Sequence, residues 1–189
     1  MTALVSGVVV AIWIRPSHET AQSCEMGTPA ANLDALLLLT GRLNYAWANT
    51  ESLLIHLIAG LAGTDKDAAV IIFLTLNTTR ARIDLVERLA KMEKTPEAQK
   101  KRVLGLTGRV MKLSALRNRY SHSIYAFDPE SGNPRTIMMR IADRRNDLKM
   151  GRSDLVDEKA IAEIEDAISS LKTINQEYWA LIQEFGYPI

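Results

Sequence analysis

Arg117, Asn118 and His122 lie in the stretch Leu113–Phe127, and their types and spacing suit one chemistry. An imidazole takes a proton from a hydroxyl, or gives one to a leaving oxygen, near neutral pH. A guanidinium grips a phosphate with two parallel hydrogen bonds and stabilises charge that builds on it. Together they suffice for metal-free cleavage of RNA, where the neighbouring 2′-hydroxyl is the internal nucleophile. No metal-ligand set competes. The chain has three histidines with no closely spaced pair, one cysteine (Cys24), and no acidic cluster beside His122.

Arg117 also breaks a pattern. The segment carries an apolar stripe of Val103, Leu106, Val110, Leu113, Tyr120 and Ile124 at steps of three, four or seven. Arg117 falls four residues after Leu113 and three before Tyr120, so on a helix it points where they point. A guanidinium keeps its proton, and burying one without a partner is costly. Either an anion inside the protein pairs with it, or the stripe borders a cleft or interface where a ligand supplies the anion. Asn118 and His122 share a face, and Ser114, Ser121 and Tyr125 fall between that face and Arg117. On an ideal helix His122 points about 140° away from Arg117, so one straight helix cannot aim both at one atom. The helix must loosen near Tyr120, or a second protomer must help.

Arg117-Asn118-Arg119-Tyr120-Ser121-His122 resembles the R-x4–6-H motif of the HEPN superfamily, small helical bundles with many RNA-cleaving members. The likeness lies in the spacing, in the polar Asn118 after the arginine, and in the placement late in the third long helix, and it covers residues 32 to 186. It implies that Arg117 and His122 carry the active site and that Asn118 supports it, with no metal and no cofactor. Glu51, Ser121 and Tyr125 are candidate supporting groups. The resemblance further implies a homodimer whose two motifs line a shared cleft. The expected activity is a metal-independent endoribonuclease acting on RNA, as a toxin or phage-defence effector with an antitoxin protein as partner. The alternative is a non-catalytic HEPN-like module that binds a nucleotide or a protein.

The elements that must position these residues are helical. The 189 residues suit one domain, 47% of them are apolar and 24% charged, and the six prolines sit where helices start or stop. A first helix is expected over 32–61, with a stripe of Leu33, Leu36, Leu37, Thr40, Leu43, Trp47, Leu54, Ile58 and Leu61. Glu51 sits in that stripe, either reaching water at its edge or approaching Arg117. His56 reads as a packed or exposed histidine rather than a ligand. After a stop at Gly63 and a cap at Thr64 or Asp65, a second helix is expected over 66–92, opening on a run, Val70 to Leu74, read as buried on all sides. The third runs from Thr95-Pro96-Glu97 to about Tyr125. A loop from Asp128 to Pro134 and a short hairpin or irregular excursion precede the last helix, capped by Asp157. Its stripe is Ile161, Ile164, Ile168, Leu171, Ile174, Tyr178, Leu181 and Phe185. The expected fold is all-α, an up-and-down four-helix bundle over 32–189.

Residues 1–31 read as a separate extension. The apolar run Ala3–Ile14 is shorter than the ~20 residues of a membrane span, and no Lys or Arg precedes it. A mis-assigned start, or an extension whose apolar part packs on the domain, fits best, with no membrane attachment and a cytoplasmic setting. The net charge of +1 conceals an uneven spread. Arg80 to Arg152 hold 18 Lys and Arg against 8 Asp and Glu, an excess that attracts a polyanion or is solvated and balanced by the acidic last helix.

Overall fold

The computed structural model describes residues 29–128, 133–139, 141–144, 147–151 and 153–189. Most of the extension expected over 1–31, including Cys24, lies outside the described residues, as do positions 129–132 of the expected loop. The protein is mostly helical with a small β component. In chain order the elements are α1 (Pro29–Ser52), α2 (Leu54–Ala62), α3 (Lys66–Thr75), α4 (Thr79–Ala90), α5 (Glu97–Ser121), β1 (Ser123–Phe127), β2 (Pro134–Met138), β3 (Ile141–Arg144), β4 (Asp147–Met150), β5 (Ser153–Leu155) and α6 (Glu158–Glu184).

They group into two compact units. One comprises Gly41–Asn118 and Ile164–Ile189 and is helical. The apolar stripes meet in its core, where Leu43, Trp47, Leu57, Ile83, Val103 and Val110 are buried together with Ile168, Leu171, Ile174, Tyr178 and Leu181. The other unit holds Arg119–Glu163 and the part of α1 up to Thr40. In it β1, β2 and β5 form an antiparallel sheet in that order, with Tyr125 opposite Thr136 and Thr136 opposite Asp154. Strands β3 and β4 form a separate hairpin, Ile141 opposite Met150. Tyr120, Ala126 and Val156 are among its buried residues.

Four expectations are corrected. The expected first helix is two, broken at Leu53. Thr50 Oγ1 donates to the Ala46 carbonyl at 2.8 Å and Ser52 Oγ to the Asn49 carbonyl at 2.9 Å, side-chain bonds that compete with the helical ladder and bend it. The expected second helix is also two, because Thr78 caps α4 by accepting from the Ala81 N–H at 3.1 Å. Within α3 the Val70–Leu74 run is not buried all round: Phe73 is, whereas Ile71 and Leu74 are 67% and 63% exposed. The expected third helix ends at Ser121, four residues early, because Ile124, Tyr125 and Phe127 are strand-forming types that pair with β2. The caps at Asp65 and Asp157 form as expected, accepting from Ala68 and Ala160 N–H groups at 2.7 and 2.8 Å. Gly63 closes α2 with φ +72°, a left-handed conformation that suits glycine.

Candidate functional site

Arg117 and Asn118 belong to the helical unit, while Ser121, His122 and Tyr125 belong to the sheet-bearing one. The stripe of α5 is buried at Val103, Leu106 and Val110, and Arg117 continues it half-buried. Its guanidinium lies over the Trp47 ring, with Cζ 5.5 Å from the centroid, and the ring's negative face attracts the cation. Nη1 donates to Asn118 Oδ1 at 3.1 Å, so Asn118 orients the guanidinium. Nε is buried and has no hydrogen-bond partner among the described residues.

Glu51 does not pair with Arg117. Its Oε1 lies 3.1 Å from Arg82 Nη1, with the two side chains only 11% and 18% exposed. The angle there gives a charge contact rather than an aligned hydrogen bond. Arg82 is the residue that the sequence reading missed. Its Nε donates to the Phe73 and Leu76 carbonyls at 3.1 and 2.9 Å, and its Cζ lies 4.0 Å from the Phe73 centroid. It therefore satisfies the carbonyl end of α3, and the helix break at Leu76–Thr78 that requires this was read as continuous helix. The consequence for Arg117 is that Glu51, the carboxylate that could have approached it, is already neutralised by Arg82. Among the described residues no carboxylate forms an ion pair with Arg117.

The sheet-bearing unit fixes the other candidates differently. His122 occupies the turn directly after α5 and is exposed, and its carbonyl accepts the Met139 N–H at 3.4 Å. Because the helix stops at Ser121, the ideal-helix angle that separates the two side chains does not govern His122. Tyr125 holds that helix end. Its hydroxyl donates to the Tyr120 carbonyl at 2.6 Å and lies 3.3 Å from Thr40 Oγ1. Burial pushes its phenol above the ordinary value, with the Thr40 hydrogen bond opposing, so it is a neutral anchor rather than a base. Ser123 Oγ donates to the Arg119 carbonyl at 2.5 Å, a second clamp on the last turn. Ser121 closes α5 half-buried and makes contacts of its own. His56 is a packed histidine, with Nδ1 2.7 Å from the Pro188 carbonyl and its ring 5.4 Å from that of Trp179.

No protein-family model, curated protein or solved structure matches the chain. The site is therefore argued from its own groups. Among the described residues no group of three or more His, Cys, Asp or Glu is placed to hold a metal, and no helix is long and apolar enough to cross a membrane. What these residues offer is an oriented guanidinium without a carboxylate partner and an accessible imidazole five positions along the chain.

Proposed function

We propose that the chain is a metal-independent endoribonuclease of the HEPN type, working in the cytoplasm as a homodimer, with an antitoxin-like protein as its natural restraint. The observation that carries this reading is the state of Arg117. It is held by Trp47 and Asn118 while Glu51 is committed to Arg82, which leaves a fixed positive charge for an incoming anion. Under this reading the four helical legs α1–α2, α3–α4, α5 and α6 form the up-and-down bundle that the resemblance implies.

The reaction follows from the groups. His122 removes the proton of a ribose 2′-hydroxyl, the 2′-oxygen attacks the adjacent phosphorus, and the bond to the 5′-oxygen breaks. The products are a 2′,3′-cyclic phosphate and a 5′-hydroxyl, the leaving oxygen taking a proton from an imidazolium or from water. Arg117 binds the two non-bridging oxygens and stabilises the extra charge of the five-coordinate transition state. Asn118 fixes the guanidinium plane.

The test is cleavage of single-stranded RNA by the purified protein in EDTA, with product ends identified by their reaction with phosphatase and kinase. Cyclic-phosphate ends are expected, with a loss of about 100-fold or more in His122→Ala, the usual scale for removing a general acid–base. Arg117→Ala is expected to lose activity while remaining folded. Undiminished cleavage in both variants overturns the proposal.

A further inference from the structure

A groove of about 630 Å³ lies within the helical unit between α1 and α6, and none of the residues proposed for cleavage lines it. Its size suits a small organic ligand. Three kinds of group line it. Arg42 from α1 and Lys172 from α6 are exposed cations, and no Asp or Glu is among the lining residues. Other cations of this unit are matched to carboxylates, among them Arg82–Glu51, Arg102–Glu184 and Arg109–Glu177, though Arg117 is not. Arg42 and Lys172 form no ion pair among the described residues. An acid-free groove with two unmatched cations selects an anion.

The second kind is aromatic. Tyr45 is 74% exposed, a large cost in apolar surface for a residue on a packed helix, and Trp179 lies half-buried along the same groove. The His56 ring packs on Trp179 at 5.4 Å between centroids, tilted by 43°. Rings that reach solvent beside cations are the combination that takes up a flat, anion-bearing ligand. The third kind is amide. Asn49 Nδ2 donates to the Tyr45 carbonyl at 3.1 Å and Asn175 Nδ2 to the Asn49 carbonyl at 3.3 Å. Both amides are thereby fixed, with their Oδ1 acceptors uncommitted among the described residues. Such acceptors meet the exocyclic amine of a nucleobase.

We infer that this groove binds a nucleotide, with its phosphate on Arg42 and Lys172 and its base against Tyr45 and Trp179. The ligand is either a free mononucleotide or one residue of an RNA strand, since both present a base and a phosphate. The site is independent of Arg117 and His122, so it stands or falls apart from the cleavage proposal.

The experiment titrates the full chain with 5′-AMP and, separately, with a mixed-sequence ten-nucleotide RNA carrying 2′-O-methyl groups, which cannot be cleaved through the 2′-oxygen. Binding is read by calorimetry and by quenching of tryptophan fluorescence. At least one probe is expected to bind and to quench. The double variant Arg42→Gln/Lys172→Gln should weaken that binding about tenfold or more. It should also flatten the salt dependence of the RNA complex by about 0.7 in log–log slope, the value for one phosphate on a single strand. Tyr45→Ala should weaken binding about tenfold by removing a stacking face. All four side chains changed or probed lie at the surface of the groove, and circular dichroism checks that the variants fold. Binding of AMP alone assigns a free nucleotide, and binding of the oligomer alone assigns a strand. Failure of both probes, or unchanged affinity in the double variant, overturns the inference.

Discussion

The guanidinium of Arg117 lies over the indole of Trp47, 5.5 Å from the ring centroid, and not against a carboxylate. The distinction has an energetic consequence. A cation over an aromatic face contributes about 1 kcal/mol where it is partly solvated, whereas stripping one partner from a buried ion pair costs ~3–5 kcal/mol. Arg117→Ala should therefore lower stability by only about 1 kcal/mol in chemical denaturation. A loss near the larger figure means that Arg117 is a structural residue, and it removes the main support for a catalytic one.

Glu51 and Arg82 are the opposite case. Their side chains are 11% and 18% exposed, and Arg82 also serves two backbone carbonyls at the end of α3. Arg82→Ala should cost ~3–5 kcal/mol, because it leaves Glu51 charged and unmatched in the interior. Arg102→Ala is the control. Its pair with Glu184 is 40% and 56% exposed, and exposed pairs contribute less than about 1 kcal/mol. Equal losses in the two variants contradict this ranking.

Much of the helical scaffold was legible from periodicity. The stripes are buried at Val103, Leu106 and Val110 of α5 and from Ile164 to Leu181 of α6, with Leu113, Ile161 and Phe185 only half-buried, and Asp65, Gly63 and Asp157 act as the caps their types suggest. What periodicity missed were the helix breaks. Thr50, Ser52 and Thr78 redirect the backbone through their own hydroxyls, and a wheel projection treats these residues as ordinary helical positions. The partner of Glu51 was missed for the same reason, since Arg82 reaches it only because α3 and α4 are separate helices. The strand at Ser123–Phe127 was mistaken for helix because Tyr120 and Ile124 also fit a spacing of four. The α1–α6 groove left no mark that a single-segment reading could find, because its cations and rings come from elements more than a hundred residues apart.

Gly60 lies against the ring of Tyr187, and a Cβ built at Gly60 comes within hard-clash distance of three ring carbons. Tyr187 is buried and its hydroxyl accepts from the Gln99 amide, so the ring is held at both ends. Gly60→Ala should destabilise by about 1–3 kcal/mol through overpacking. The paired variant Gly60→Ala/Tyr187→Ala should show much less than the sum of the two single losses in a double-mutant cycle, since the clash is gone once the ring is removed. Additive losses argue against the close approach.

Four phenols, three of them buried and that of Tyr125 half-buried, should set the alkaline limit of stability. Burial raises Tyr120, Tyr125, Tyr178 and Tyr187 above the ordinary tyrosine value of 10.0, with hydrogen bonds from Arg119, Thr40 and Gln99 opposing the rise at Tyr120, Tyr125 and Tyr187 respectively. Tyr178 is raised furthest, because it is almost wholly buried and Glu87 adds like charge nearby. A folded-state pKa above the unfolded one means that the folded state holds its proton more tightly. The stability contributed by these phenols is then complete below about pH 10 and is lost as pH climbs from there through the folded values. The melting temperature should show no tyrosine-linked change from pH 7 to 9 and should fall steeply above about pH 10. Tyr178→Phe isolates the largest share. Its hydroxyl has no hydrogen-bond partner among the described residues, so its removal should be neutral or stabilising by about 1 kcal/mol at pH 7. The same variant should lose stability less steeply above pH 10. A wild-type slope in Tyr178→Phe shows that the alkaline transition belongs to other groups.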